Sequence, residues 1–415
     1  MRARFALLAL VFAACRPAAP ERPARGLPTK EPTVRIGVRV AEPEIVIGAT
    51  SSLEITEPGG DRVARSSARE RWTFTADEAG HLRGRSDRGG RIGERNGVLL
   101  VRADEDGDVS VGERRYRGSL LVRAAGPGRV TAVNVLELEE YLLGVVPLEI
   151  GRRTAAEFEA VKAQAIAART YTVGGLGSRE ALGFDLYAST ADQVYEGVDA
   201  ENELAARAVR ETRGVVLLHE GRPILAYYHS TCGGRTAAIE QAWPWRASLP
   251  YLRSVSDRVG ASGRAYCDGS NRYRWEVTWT GDRLLQVLAR TLVAHAGAHA
   301  APKRIESVKA ERDGASGRVR ELRIVADGET YRVRADSLRW VLRPEPERIL
   351  NSTLLFEVEQ NRAGGAVRRL IVRGGGWGHG VGMCQMGAIG RARAGQDHRR
   401  ILKAYYRHVQ VARIY

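Results

Sequence analysis

The chain has 415 residues, 44% of them hydrophobic, with a formal net charge of +15. That much apolar content rules out a disordered chain and supports a core in more than one domain. The excess charge is almost all arginine and points to an anionic partner or surface, yet no dense basic run is interleaved with aromatics, which argues against nucleic acid.

The first fifteen residues, MRARFALLALVFAAC, place two arginines before an apolar stretch that is too short to span a bilayer and ends at Cys15. This reads as an export signal and resembles a bacterial lipoprotein signal, in which cleavage leaves a lipidated N-terminal Cys15; the alternative is an ordinary secretory signal cleaved nearby. The protein is expected in the cell envelope, membrane-anchored on the outer side of the cytoplasmic membrane. Residues 16–32 are a proline-rich linker. From 33 to 127 short runs such as TVRIGVRV, RWTFTA and SLLVRA alternate with Asp/Gly turns and predict a β-rich N-terminal region.

The segment 128–150, GRVTAVNVLELEEYLLGVVPLEI, is expected to begin as a strand and pass through a short helical turn around Glu139–Leu143 before reaching Pro147. Glu149 follows between Leu148 and Ile150, an apolar setting that favours the protonated acid. Next comes the clearest helix: Thr154 and Glu157 form a T-x-x-E box, and Phe158, Val161, Ala165 and Ala168 recur at three- and four-residue spacing. Lys162 and Arg169 fall on a neighbouring stripe, where their charge would oppose a raised pKa at Glu149. A second helix is expected from Glu201 to Arg213, started by Asp199, and then a hairpin turning at Glu220-Gly221.

YYHSTCGGRT, Tyr228–Thr236, ends a strand in hydroxyls and a double glycine. Ser230 beside His229 does not make a serine hydrolase, because G-x-S-x-G is absent and no acid completes a triad. Residues 271–365 change texture to a helix and several strands, an inserted α+β subdomain. GGGWGHGVGMCQMGA then frames Trp377 and His379 with glycines, suited to stacking and hydrogen bonding on a sugar ring, and a last helix starts at Asp397. Three cysteines follow the signal. In an oxidising compartment a Cys232–Cys267 disulfide is expected, with Cys384 left over; the alternative is zinc on His229, Cys232 and Cys267. With no CxxC and no HExxH, no metal or other cofactor is expected.

LELEEYLLGVVPLEI, EAVKAQAIAARTYTV, ADQVYEG, YYHSTCGGRT and GWGHGVGMCQMGA, in this order, resemble the stage II sporulation protein D (SpoIID)/LytB family over residues 128–415. The resemblance implies an α+β fold: a SpoIID-like catalytic core carrying the inserted subdomain and preceded by the β-rich region. It implies a peptidoglycan lytic transglycosylase with Glu149 as its single catalytic acid. Lys162, Arg169, Tyr228, His229, Ser230, Trp377, His379 and Gln385 are then expected on the glycan strand. Family members named as amidase enhancers supply the alternative, a non-catalytic wall-binding protein that stimulates an N-acetylmuramoyl-L-alanine amidase.

Overall fold

The computed structural model describes residues 26–415 except 105, 261, 262 and 315, so the signal segment and Cys15 lie outside the described residues. The fold is α+β. It divides into two compact units, one formed by Arg274–Gly375 and the other by the described residues up to Tyr273 together with Gly376–Tyr415.

In the larger unit the alternation of Val34, Ile36 and Val38 puts one face of the first strand, Thr33–Glu42, into the core. This strand pairs antiparallel with Val130–Glu137. The resulting seven-stranded sheet runs, edge to edge, Leu186–Tyr187, Thr33–Glu42, Val130–Glu137, Ser119–Ala124, Val98–Ala103, Leu53–Thr56 and Arg62–Ser66. A six-stranded sheet, ordered Arg114–Tyr116, Val109–Val111, Ile45–Ala49, Trp72–Ala76, Leu82–Ser86 and Arg91–Arg95, shares its core. Val130–Glu137 is buried at nearly every position, as a strand covered on both faces must be.

That strand feeds α1 (Leu138–Ile150), followed by α2 (Phe158–Gly175) and α3 (Glu203–Glu211). The expected box holds at the entry to α2, where the Glu157 carboxylate accepts the Thr154 N–H at 2.9 Å. The cap of α3 differs from expectation. Asn202, whose side chain accepts the Ala205 N–H at 3.0 Å, starts the helix, while Asp199 is held by Arg115. Val215–His219 turns back on Arg222–Pro223 as expected, with positive φ at both Glu220 and Gly221, the signature of a type I′ turn. Asp397 caps the helix His398–Tyr405 by accepting the Arg400 N–H at 2.7 Å.

The smaller unit packs the helix Gly281–His295 with two three-stranded sheets around its own core, centred on Trp279, Leu288, Leu322 and Leu370.

Candidate functional site

The helical turn expected around Glu139–Leu143 is longer in the structure: α1 continues through Pro147 to Ile150. Proline has no N–H to give the Leu143 carbonyl and normally costs a helix interior about 3 kcal/mol. Here Tyr141, Leu142, Val145, Val146 and Ile150 are all buried, and that packing outweighs the local penalty. Glu149 therefore stands in the last turn of a helix. The helix stops at Gly151, whose φ is 74°.

Three groups hold Glu149. The Val194 N–H donates to its Oε1 at 2.8 Å, Gln385 Nε2 donates to its backbone carbonyl at 2.9 Å, and the Tyr228 hydroxyl and the Gln385 amide also face the carboxyl. Burial pushes the carboxyl up to about 7, against the pull of these hydrogen bonds toward the ionised form. Its place at a helix C-terminus, with no basic residue in that turn, acts in the same direction as burial. The side chain still keeps part of its surface in solvent.

Tyr228 is itself oriented. Thr172 Oγ1 and Tyr141 Oη point at Gln193 Oε1 from 2.8 and 3.4 Å, which turns the Gln193 amide nitrogen toward Tyr228 Oη at 3.0 Å. With its oxygen accepting from Gln193, the Tyr228 hydroxyl proton is directed at Glu149. Gln193 is fully buried and was not singled out from the sequence, although it lies in the quoted ADQVYEG, next to Val194. The same segment is pinned by Tyr195, whose hydroxyl donates to Asn134 Oδ1 at 2.8 Å and whose ring packs edge-on to Tyr141. Gly144 makes room for that ring: a Cβ there would strike it.

His379 Nε2 donates to the Tyr228 carbonyl at 3.0 Å, and its Nδ1 accepts the Val381 N–H at 3.1 Å. The ring is thus fixed as the neutral Nε2–H tautomer. It packs among Tyr227, His229 and Trp243, and Trp243, half-buried, is a second residue that the sequence reading passed over. Trp377, also half-buried, lies under the Arg272 guanidinium, 4.3 Å from ring centre to Cζ. Ser230 Oγ is 3.3 Å from Thr231 Oγ1, and the Ser230 carbonyl accepts the Met386 N–H. The glycines of this loop serve close approach to the chain's own strand. Gly382 and Gly376 have φ of 74° and 85°, and a Cβ at either would collide with the Tyr227 or Thr231 carbonyl.

Three residues expected on a glycan sit elsewhere. Arg169 is fully buried, its guanidinium paired with Glu139 at 2.7 and 2.6 Å and donating to the Thr212 hydroxyl and the Val209 and Val215 carbonyls. Every donor direction is engaged inside the protein, so it cannot reach a substrate. Lys162 is paired with Glu159 at 2.6 Å and Glu211 at 3.3 Å, and lies over the Phe158 ring. Neither cation opposes the raised pKa of Glu149. Gln385 is buried and supports Glu149 from behind, with Gln164 Oε1 3.3 Å away.

The expected disulfide is absent. Cys232 and Cys267 Sγ stand 3.5 Å apart, against about 2.05 Å in a disulfide. Cys384 and Asp257 reach the same point, and the four ligand atoms lie within 4.8 Å of one another, all buried. His229, an alternative ligand from the sequence, instead has Nδ1 3.1 Å from the Val381 carbonyl.

Residues 127–219, which supply Glu149, Gln193 and Val194, match the family model described as stage II sporulation protein; residues 261–382 match a model described as a domain of unknown function. Stage II sporulation protein D of Bacillus subtilis is 31% identical over 298 residues, 68% of this chain and 76% of the relative. The chain belongs to the stage II sporulation protein D family. An uncharacterized protein of Brachyspira hyodysenteriae is 32% identical over 71% of this chain and 72% of its own length. The amidase enhancer of Bacillus subtilis is 27% identical over 64% of this chain but only 39% of its own length. Within this stage II sporulation protein D family member, the region matched by the model holds α1, α2, Glu149 and its partner Val194, while Tyr228 and Gln385 reach Glu149 from beyond it.

Proposed function

We propose that the protein is a peptidoglycan lytic transglycosylase that cleaves the MurNAc–GlcNAc bond of glycan strands with Glu149 as its only catalytic carboxyl. The observation that carries this reading is the state of Glu149: a partly buried acid raised to about 7 whose facing groups, Val194 N–H, Gln385 and Tyr228, include no carboxylate. A hydrolase normally needs a second carboxylate to activate water or form a covalent intermediate. A transglycosylase needs one. Protonated Glu149 gives its proton to the glycosidic oxygen as the bond to C1 breaks. The resulting carboxylate takes the proton of the muramyl C6 hydroxyl, whose oxygen closes on C1 to leave a 1,6-anhydro ring and regenerate the acid. A pKa near working pH suits a group that must do both. The half-buried Tyr227, Trp243, Trp377 and His379 offer ring surface to the sugars.

Digestion of glycan strands stripped of their peptides, followed by mass spectrometry of the products, tests the reading. Anhydromuramyl ends are expected; reducing muramyl ends would mean hydrolysis and sink it. The similarity to a relative named amidase enhancer supports a second reading, in which the protein binds the wall and stimulates an N-acetylmuramoyl-L-alanine amidase without cleaving glycan. Stimulation of an amidase without release of anhydromuramyl products would favour it.

Both readings need export. Among the described residues no helix is long and apolar enough to cross a membrane, and we propose that attachment is by lipid on Cys15. Cys15→Ser is expected to move the protein from the membrane fraction to the soluble envelope fraction; unchanged partitioning would exclude the lipid anchor.

A further inference from the structure

We propose that Cys232, Cys267, Cys384 and Asp257 bind one zinc ion in a closed structural site. The inference does not depend on the reading of Glu149. Four potential ligands arrive from three separate parts of the chain: Cys232 just after Tyr228–His229, Asp257 and Cys267 between the helix Ile239–Ala242 and the strand Trp275–Thr280, and Cys384 at the end of the strand Met383–Cys384. Their ligand atoms lie within 4.8 Å of one another and all four residues are buried. Tetrahedral zinc with Zn–S bonds of about 2.3 Å separates its sulfurs by about 3.8 Å. The 3.5 Å between Cys232 and Cys267 is close to that spacing and far from a covalent bond.

The surroundings are built for anionic sulfur. The Cys232 N–H and the Gly387 N–H both donate to Cys384 Sγ at 3.2 Å, and the Gly234 N–H donates to Cys232 Sγ at 3.4 Å. Cys384 also caps the nine-residue helix Gln385–Arg393, where the helix dipole favours negative charge. Asp257 is held from outside. Its Oδ1 accepts from Tyr405 Oη at 2.8 Å and from Arg391 at 3.1 and 3.2 Å, leaving Oδ2 turned inward, 3.3 Å from Cys232 Sγ. A second layer that fixes the outer oxygen and presents the inner one is how proteins orient carboxylate ligands. Without an ion, a carboxylate and three thiols would be crowded together inside the core. One divalent cation satisfies all four.

Thiolates select zinc, iron or copper over calcium and magnesium, and a closed, fully buried set of four with one hard oxygen fits tetrahedral zinc best. The site would fasten the strand Tyr228–His229 to its parallel partner Met383–Cys384 and to Gln385, which follows it. Two of these residues, Tyr228 and Gln385, flank Glu149. The ion would therefore brace the proposed active site without taking part in it.

The test uses the full chain purified under reducing conditions and dialysed against metal-free buffer. About one zinc per chain is expected by elemental analysis. Replacement by cobalt(II) should give a thiolate-to-cobalt charge-transfer band and tetrahedral ligand-field bands. Cys267→Ser should lose most of the zinc. Arg391→Met, which keeps all four ligands but frees Asp257, should bind zinc 10- to 100-fold more weakly, as second-layer changes typically do. Removing the ion with a chelator should lower the melting temperature, and restoring it should bring it back. Less than a tenth of an equivalent of zinc in the reduced protein, with no thiolate-to-cobalt band, would overturn the proposal. So would a Cys232–Cys267 disulfide in the protein as isolated from the envelope.

Discussion

Glu149→Gln is expected to lower glycan cleavage by at least about 10²-fold, the usual scale for loss of a general acid–base group, while leaving glycan binding in place. Its effect on stability has the opposite sign. A carboxyl raised from 4.5 to about 7 holds its proton more tightly folded than unfolded. Folding is therefore penalised as pH rises above 4.5, and the penalty is complete once pH passes the folded value. A shift of this size corresponds to about 3 kcal/mol, which the neutral glutamine removes. Thermal melts should thus show the variant more stable than the wild type at pH 8 and no different at pH 4. Wild-type cleavage should fall as pH rises through about 7, because the acid must start protonated. Tyr228→Phe removes a hydrogen bond that favours the carboxylate, so the alkaline limb of the pH–rate profile should move upward. An unmoved limb would show that the Tyr228 hydroxyl does not act on this acid.

The largest stability loss is expected at Arg169. Arg169→Met leaves Glu139 buried without its two-point partner, a change that costs about 3–5 kcal/mol in comparable interior pairs. Removing Arg207, whose pair with Glu211 is exposed and screened by solvent, should cost far less. Urea unfolding distinguishes the two outcomes. Burial alone would raise the Glu139 carboxyl, but Arg169, Tyr415 Oη at 2.6 Å and the Gly214 N–H at 3.2 Å together hold it below its ordinary value. The pair's contribution is therefore present above pH 4.5 and lost as pH falls through the lowered value. Arg169→Met should flatten the acid limb of the stability curve. Equal unfolding midpoints for Arg169→Met and wild type at pH 7 would refute a structural role.

Much of this architecture is legible in local chemistry. The T-x-x-E box, the Glu220-Gly221 turn and the Asp397 cap each act through atoms a few residues apart, and each forms as read. The misreadings share a cause in tertiary packing. The turn expected around Glu139–Leu143 extends to Ile150, because the packing of α1's buried apolar residues outweighs the local cost of Pro147, and Glu149 is carried with it. The α2 periodicity correctly puts Lys162 and Arg169 on one stripe, but periodicity does not say what packs on that stripe, and Glu139 occupies it at Arg169. Gln193 and Val194 meet Glu149 from a loop on the far side of α2. Nothing in their spacing marks them. Cys384, read as the cysteine left over, joins Cys232 because Met383–Cys384 pairs with Tyr228–His229 across some 150 residues of chain.

The smaller unit enters and leaves the larger one at a single rung. The Gly376 N–H donates to the Arg272 carbonyl at 2.9 Å; the chain leaves Arg272 through Tyr273 into Arg274–Gly375 and returns directly at Gly376. To the larger unit the whole insert is thus equivalent to the tip of a hairpin, closed by one backbone hydrogen bond. Loop closure depends only weakly on how much chain lies beyond such a junction. A change in the length of Arg274–Gly375 is therefore expected to cost the larger unit little in closure entropy, so long as the Arg272–Gly376 hydrogen bond is kept.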